Sequence, residues 1–311
     1  MESAARGEAS AEPLDARHRA ARVRWGGSAL LVVVASVILV AHARSYDFFC
    51  DDAFIAVRYA QQLAAHGAPV YNLGERVEGY TSPLWMALIA AGFLLHAAPV
   101  ACTHALGAAS GVLLVLALWR LWHRVEPAAP WTGAALLLAV AITAPVAAWT
   151  LGGLETPLFT ALTLWSIERA AALVARPSAR GGARVGLWLA LATLARPEGA
   201  LVFVVVGAVV LAFTARARRG PAACLGAAVA YVAVVGAFEA WRWGYYGYPL
   251  PNTFYLKSSG SAAAFAAHRL HSVEFAARDF GAWVVALLGA ALLVPARPAG
   301  EGEPAATARG I

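Results

Sequence analysis

Long runs of apolar residues separated by short polar breaks dominate the chain, and a helix needs about 20 such residues to cross a hydrocarbon core about 30 Å thick. Runs at 25–43, 102–122, 131–151, 157–174, 185–195, 200–214, 221–238 and 281–294 are read as spans. The fifth and sixth are short and meet at Arg196-Pro197-Glu198-Gly199, as either one broken helix or two helices joined by a hairpin. Arginine gathers in 1–24, 120–124, 176–184, 216–219 and 297–309. The positive-inside rule puts those segments on the cytoplasmic face. Only a hairpin at 196–199 keeps 176–184 and 216–219 on one side.

The run 83–100 breaks this alternation if it crosses, because Arg120 and Arg124 would then lie outside. It is therefore expected to lie on the outer surface as a juxtamembrane helix. The expected organisation is a cytoplasmic polar arm over 1–24, a transmembrane module over 25–295 and a polar tail over 296–311. Outer segments are expected at 44–101, 152–156, 196–199 and 239–280. The fold class is an all-α polytopic membrane bundle with both ends cytoplasmic.

Composition narrows the function. The 311 residues are 60% hydrophobic and 14% charged, against roughly 45–50% and about 25% in a soluble domain. Of the 24 basic residues only Lys257 is a lysine, and they form no stripe interleaved with aromatics, so nucleic acid is excluded as a partner. There is no GxSxG elbow, P-loop or GxGxxG motif, which argues against an esterase or a soluble nucleotide-sugar domain. Asp47, Asp51, Asp52, Glu75, Glu78, Glu155, Glu198, Glu239, Glu274 and Asp279, most of the 18 acids, fall on or near the outer side. Any chemistry is expected there.

The segment 44–82 holds the strongest signal. Asp51-Asp52 precedes an amphipathic run in which Phe54, Val57, Ala60, Leu63 and Ala64 recur at helical spacing and Gly67 supplies a stop. Asp52 suits an N-cap; the second aspartate is left for chemistry, since ionisable groups beside a bilayer are functional candidates. Glu155 follows Gly152-Gly153 and precedes Pro157, either as a second acid or as an acid complementing a helix dipole. Arg196 and Glu198 read either as an ion pair closing a hairpin or as a phosphate contact, since guanidinium binds phosphate bidentately. Lys257 follows Trp241, Trp243, Tyr245, Tyr246 and Tyr248, an interfacial aromatic set. Cys50 and Cys102 both fall near the outer face, where an oxidising compartment permits a bridge.

The run Asp51-Asp52-Ala53-Phe54-Ile55 with Arg58-Tyr59-Ala60, Asn72 and Gly74-Glu75-Arg76-Val77-Glu78-Gly79-Tyr80-Thr81 resembles the first outer loop of bacterial GT-C class glycosyltransferases. Within that class it is most similar to the group of the mycobacterial terminal arabinofuranosyltransferase. Gly153-Leu154-Glu155-Thr156-Pro157-Leu158, Arg196-Pro197-Glu198-Gly199 and Tyr245-Tyr246-Gly247 with Pro251-Asn252-Thr253-Phe254-Tyr255 and Lys257 follow in the same order.

The resemblance implies transfer of a sugar from a polyprenyl-phosphate carrier to an envelope glycan, lipid or protein acceptor at the outer face of the cytoplasmic membrane. It implies Asp51, Asp52 and Glu155 as catalytic acids and as the ligands of any divalent metal ion. It also implies Arg58, Tyr59, Glu78, Tyr80, Arg196, Glu198, Asn252, Tyr255 and Lys257 as substrate-binding residues. Members of the class continue with further spans and an outer C-terminal domain, whereas this sequence stops in a polar tail. The alternative is a non-catalytic scaffold, assembly partner or transporter. A transporter places charge at the midplane of broken helices, while the acids here gather at one face.

Overall fold

The computed structural model describes residues 14–126, 130–215 and 217–258. These are all helix, turn and loop, with no strand among them. The order is α1 Leu14–Arg44, α2 Ala53–His66, α3 Pro83–Leu94, α4 Pro99–Val125, α5 Pro130–Ala141, α6 Ala144–Leu151, α7 Thr156–Ala175, α8 Ala179–Ala195, α9 Gly199–Thr214, α10 Gly220–Tyr246 and α11 Asn252–Ser258. The chain divides into two compact units, Met1–Thr253 and Phe254–Ile311. In the second, the described residues contain one edge-on ring pair, Phe254 with Tyr255. The expected last span at 281–294 lies outside the described residues.

Among the described residues α4, α7 and α10 are long and apolar enough to cross a membrane, and α5 with α6 makes a fourth if the bent pair is one span. The protein is an all-α membrane protein. Its exposed aliphatic side chains, Leu201, Val204 and Val205 on α9 and Leu225, Val229 and Val232 on α10, suit a surface facing lipid rather than water. Proline opens α3, α4, α6, α7 and α10 within their first turn, where its missing N–H costs nothing.

The run read as one span over 131–151 is instead two helices bent by 59°. Pro145 has no N–H to give the Ala141 carbonyl four residues earlier. His42 of α1 gives it one, Nδ1 to Ala141 O at 3.2 Å, and this leaves Nε2 to accept from the Tyr46 hydroxyl at 3.2 Å. A neighbouring helix thus satisfies the carbonyl that the kink exposes.

Between α8 and α9 the chain folds back as a hairpin. Arg196 is extended after α8, and a Cβ on Gly199 would come within 2.4 Å of the Thr193 backbone. α10 then returns alongside α8. Cβ atoms on Gly182 and Gly186 would sit 1.9 and 2.1 Å from the carbonyl oxygens of Ala223 and Ala227. This four-residue glycine spacing lets the two backbones touch, the packing by which membrane helices associate. Phe203 of α9 stacks on Tyr231 of α10 (3.7 Å between ring centres), and Val206 and Val210 share a core with Val185, Leu189, Leu173 and Ala223.

α3 ends at Leu94, and a turn through His96 (φ +60°) leads into α4. At 12 residues it is about 18 Å long, well short of a bilayer. Trp85, Met86, Ile89 and Ala90 bury its inner face against Tyr59, Ala60, Leu158 and Leu162.

Candidate functional site

Four polar segments distant in sequence meet at one end of the helices. The Cys50 N–H donates to Gly152 O at 2.9 Å and the Trp85 indole to Gly153 O at 3.1 Å. Gly153 has φ +89°, and a Cβ there would lie 2.7–2.8 Å from Phe49 and Ala53. Only glycine lets the strand of chain before α2 settle on this turn. The Tyr246 hydroxyl donates to Pro69 O at 2.5 Å, and the Asn252 N–H to Glu78 O at 3.0 Å.

Asp51 and Asp52 are exposed on this face. Asp52 stands at the N-cap of α2, but its side chain makes no cap hydrogen bond, which corrects the capping expectation. The reason is local: Asp52 already has helical φ and ψ, so its carboxylate does not reach back over the first turn. The Asp51 Oδ1 instead accepts the Asp52 N–H at 2.9 Å, and the Cys50 thiol points to the same oxygen at 3.7 Å. Ligand atoms of Cys50, Asp51 and Asp52 lie within 4.8 Å of one another. Two carboxylates suit a hard divalent cation; Glu155 is not a member of this group.

Glu155 sits just before α7 with only 8% of its surface exposed. Burial pushes its carboxyl above the usual carboxylate range, opposed by the Arg196 guanidinium at 3.6 Å and a hydrogen bond with Ser82. Arg196 also forks onto Glu198, Nη2 to Oε1 at 3.3 Å and Nε to Oε2 at 3.4 Å. One guanidinium therefore bridges two carboxylates. The hairpin ion pair is present, and it extends to Glu155, which the sequence leaves separate.

The expected binding residues divide into two sets. Tyr59 and Tyr80 are buried at 1% and 3% exposure. The Tyr59 hydroxyl donates to Val77 O at 2.7 Å and accepts from the Gly79 N–H at 2.8 Å, while Tyr80 pairs with the Tyr246 hydroxyl at 3.2 Å. Burial raises both phenols. These rings hold the loop in shape. Arg58 braces it from α2, donating to Tyr71 O at 3.0 Å. The Asn252 side chain and Tyr255 are exposed, and the Lys257 side chain lies outside the described residues.

Glu78 is buried beside Arg242, with Oε2 3.7 Å from Nε. Arg242 also pairs with Glu239 and donates to Pro249 O. Burial pushes the Glu78 carboxyl up to about 7; Arg242 pulls it down and Glu239 up. Neither Arg242 nor Tyr246 is among the residues picked from the sequence as site candidates. The usable signal is an arginine and a glutamate three apart near the C-terminal end of α10. The aromatic set splits: Tyr246 is buried, while Trp241, which stacks on Tyr245, and Trp243 and Tyr248 are exposed.

The cysteine bridge that the sequence leaves open is not formed. Cys50 and Cys102 are free thiols, Cys102 being buried where α4 packs on Ile89 and Gly92 of α3.

No protein-family profile matches the chain, and no solved structure does. Over 240 residues it is 28% identical to the terminal beta-(1->2)-arabinofuranosyltransferase of Corynebacterium glutamicum, covering 68% of this chain and 33% of the relative. Over 231 residues it is 29% identical to the protein of the same name from Mycobacterium tuberculosis, covering 68% and 35%. The chain spans about a third of the length of the curated relatives it matches, and across two thirds of its own length it resembles the terminal arabinofuranosyltransferase group.

Proposed function

We propose that this chain carries the acid loop of a membrane glycosyltransferase, a pentosyltransferase by its relatives' names, which moves a sugar from a polyprenyl-phosphate carrier to an envelope glycan, lipid or protein acceptor. The observation that supports it most is the convergence of the polar segments on one end, with Asp51 and Asp52 exposed beside the Gly152–Glu155 turn. In this reading the end faces the periplasm or exterior from a multi-pass chain in the cytoplasmic membrane, with α2 and α3 at the membrane surface.

Transfer forms a bond between the acceptor oxygen and the anomeric carbon and breaks the bond from that carbon to the phosphate oxygen, which leaves with the electron pair. The acceptor proton must go to a base. Asp51 or Asp52 takes it, being exposed and at a loop face a substrate can reach. Arg196 meets the leaving phosphate by releasing Glu198, the more exposed of its two partners. A divalent cation, where one takes part, would be held by Asp51 and Asp52 with Cys50 and would supply positive charge for a phosphate.

Because Asp52 makes no cap hydrogen bond, Asp52→Asn tests chemistry rather than folding. Asp51→Asn keeps the oxygen that accepts the Asp52 N–H. Transfer by membranes carrying each variant, supplied with polyprenyl-phosphate arabinose and an arabinan acceptor, should fall ~10²–10⁴-fold for whichever is the base. Full transfer by both variants would remove the acid loop from the reaction and favour a scaffold.

A further inference from the structure

Away from the acid loop, α4 and α7 carry a cluster of charge that the proposed reaction does not use. Glu168 is buried, its side chain 1% exposed, and both oxygens are taken. Oε1 accepts from Arg124 (Nη2 at 2.6 Å, Nε at 3.2 Å) and Oε2 from Arg169. A third guanidinium, Arg120, lies 5.4 Å over the Trp165 ring, and that of Arg169 lies 5.7 Å from the same ring. Trp165 is itself fixed, stacked on Trp188 at 5.5 Å and donating its indole N–H to Leu113 O at 3.2 Å.

Two guanidiniums thus hold one carboxylate whose oxygens are already committed, and a third lies over the neighbouring Trp165 ring. Arg169 Nη2 is buried without a hydrogen-bond partner. Arg120 makes no hydrogen bond or ion pair among the described residues; its one contact of this kind is the indole face. His123, one turn along α4 from Trp119, packs on that ring rather than on the arginines. The cluster is short of negative charge.

Its depth identifies the missing anion. α4 and α7 are both long and apolar enough to span, and the first residues of both lie at the acid-loop end. Arg120 is 21 residues beyond Pro99, about 31 Å along the helix. Counted from Gly107, which packs on the Thr150 carbonyl beside the acid-loop turn, it is about 20 Å, so Arg120 lies in the half of the span away from the acid loop, toward the arginine-rich end. Arg169 starts about 20 Å below Thr156, and its guanidinium meets the Trp165 ring that Arg120 also covers. A phosphodiester there offers the oxygens that a guanidinium fork requires, and basic pockets between helices are where anionic headgroups bind.

We propose that Arg120 and Arg169, set over Trp165, bind the phosphate of an anionic phospholipid in the leaflet opposite the acid loop. The site depends on α4 and α7 spanning the bilayer and not on the transfer reaction.

The test uses the full chain, delipidated and reconstituted into nanodiscs of phosphatidylcholine containing phosphatidylglycerol, with retained lipid counted by native mass spectrometry after extraction. The wild type should retain phosphatidylglycerol over phosphatidylcholine. Arg120→Gln and Arg169→Gln should each lower that preference about fivefold, while Arg184→Gln, at an exposed arginine on α8, should not. Arg120→Gln disturbs only a ring contact, so its result does not depend on folding. Wild-type retention in both variants would overturn the site, as would an equal loss in Arg184→Gln, which signals bulk attraction. Displacement of the lipid by millimolar inorganic pyrophosphate would also overturn it, marking a site for free phosphate.

Discussion

Arg242 enters the protein from the end of α10 and meets Glu78 from a loop 164 positions earlier, in a place where neither charge is fully solvated. Burial prevails over the arginine, so the native Glu78 carboxyl titrates at about 7 against the usual 4.5. The folded protein therefore holds this proton more tightly than the unfolded chain. The stabilisation is complete below about 4.5 and is lost as pH rises through 7. Thermal unfolding in detergent should show stability falling between pH 5 and 8, by on the order of 1–3 kcal/mol from this group. Glu78→Gln should flatten that slope; an unchanged slope would place the titration elsewhere. Sequence reading singles out Glu78 because the acid loop stands out in an apolar chain. It cannot see Arg242, because the pairing depends on how α10 is packed. The same holds for Glu155, whose partner Arg196 is visible only as the neighbour of Glu198.

Helices are legible wherever apolar length alone decides, and less so where a single residue interrupts them. The run over 131–151 satisfies the length of a span whether or not it is straight; Pro145 is visible in it, but the bend also depends on His42 being placed to take over the Ala141 carbonyl. The hairpin at 196–199 could be read because two arginine-rich segments had to share a side. Its packing could not, since glycine in an apolar helix looks alike whether or not a neighbour touches it. Gly182 and Gly207 separate the cases. A Cβ at Gly182 would meet the Ala223 carbonyl at 1.9 Å, whereas at Gly207 nothing lies within 4 Å. Gly182→Ala should push α8 from α10 and destabilise the protein by roughly 1–3 kcal/mol. Gly207→Ala should be neutral or stabilising by up to about 1 kcal/mol. Thermal unfolding of the two in detergent checks this, and equal melting temperatures would mean that the α8–α10 contact does not hold the backbones together.

Across the whole molecule, two independent patterns divide its ends. The acids at 51, 52, 78, 155 and 198 meet at one end through contacts such as Cys50 with Gly152 and Arg196 with Glu155, while arginines of α4 and the 176–184 segment lie toward the other. By the positive-inside rule the arginine bias predicts that the second end is cytoplasmic, since basic residues are retained on the side where the chain is inserted. Alternation of α1, α4, the α5–α6 pair, α7, α8, α9 and α10 agrees with it only when α3 does not cross, and its 12 residues are too few for that. Leu73, exposed in the acid loop, and Ser178, at the start of α8, should therefore be reached from opposite sides. In a chain whose three cysteines are replaced by serine, Leu73→Cys should react with an impermeant maleimide on intact cells, and Ser178→Cys only after the membrane is opened. Labelling of Ser178→Cys on intact cells would invert the orientation, and labelling of both would return α3 to the membrane as a span.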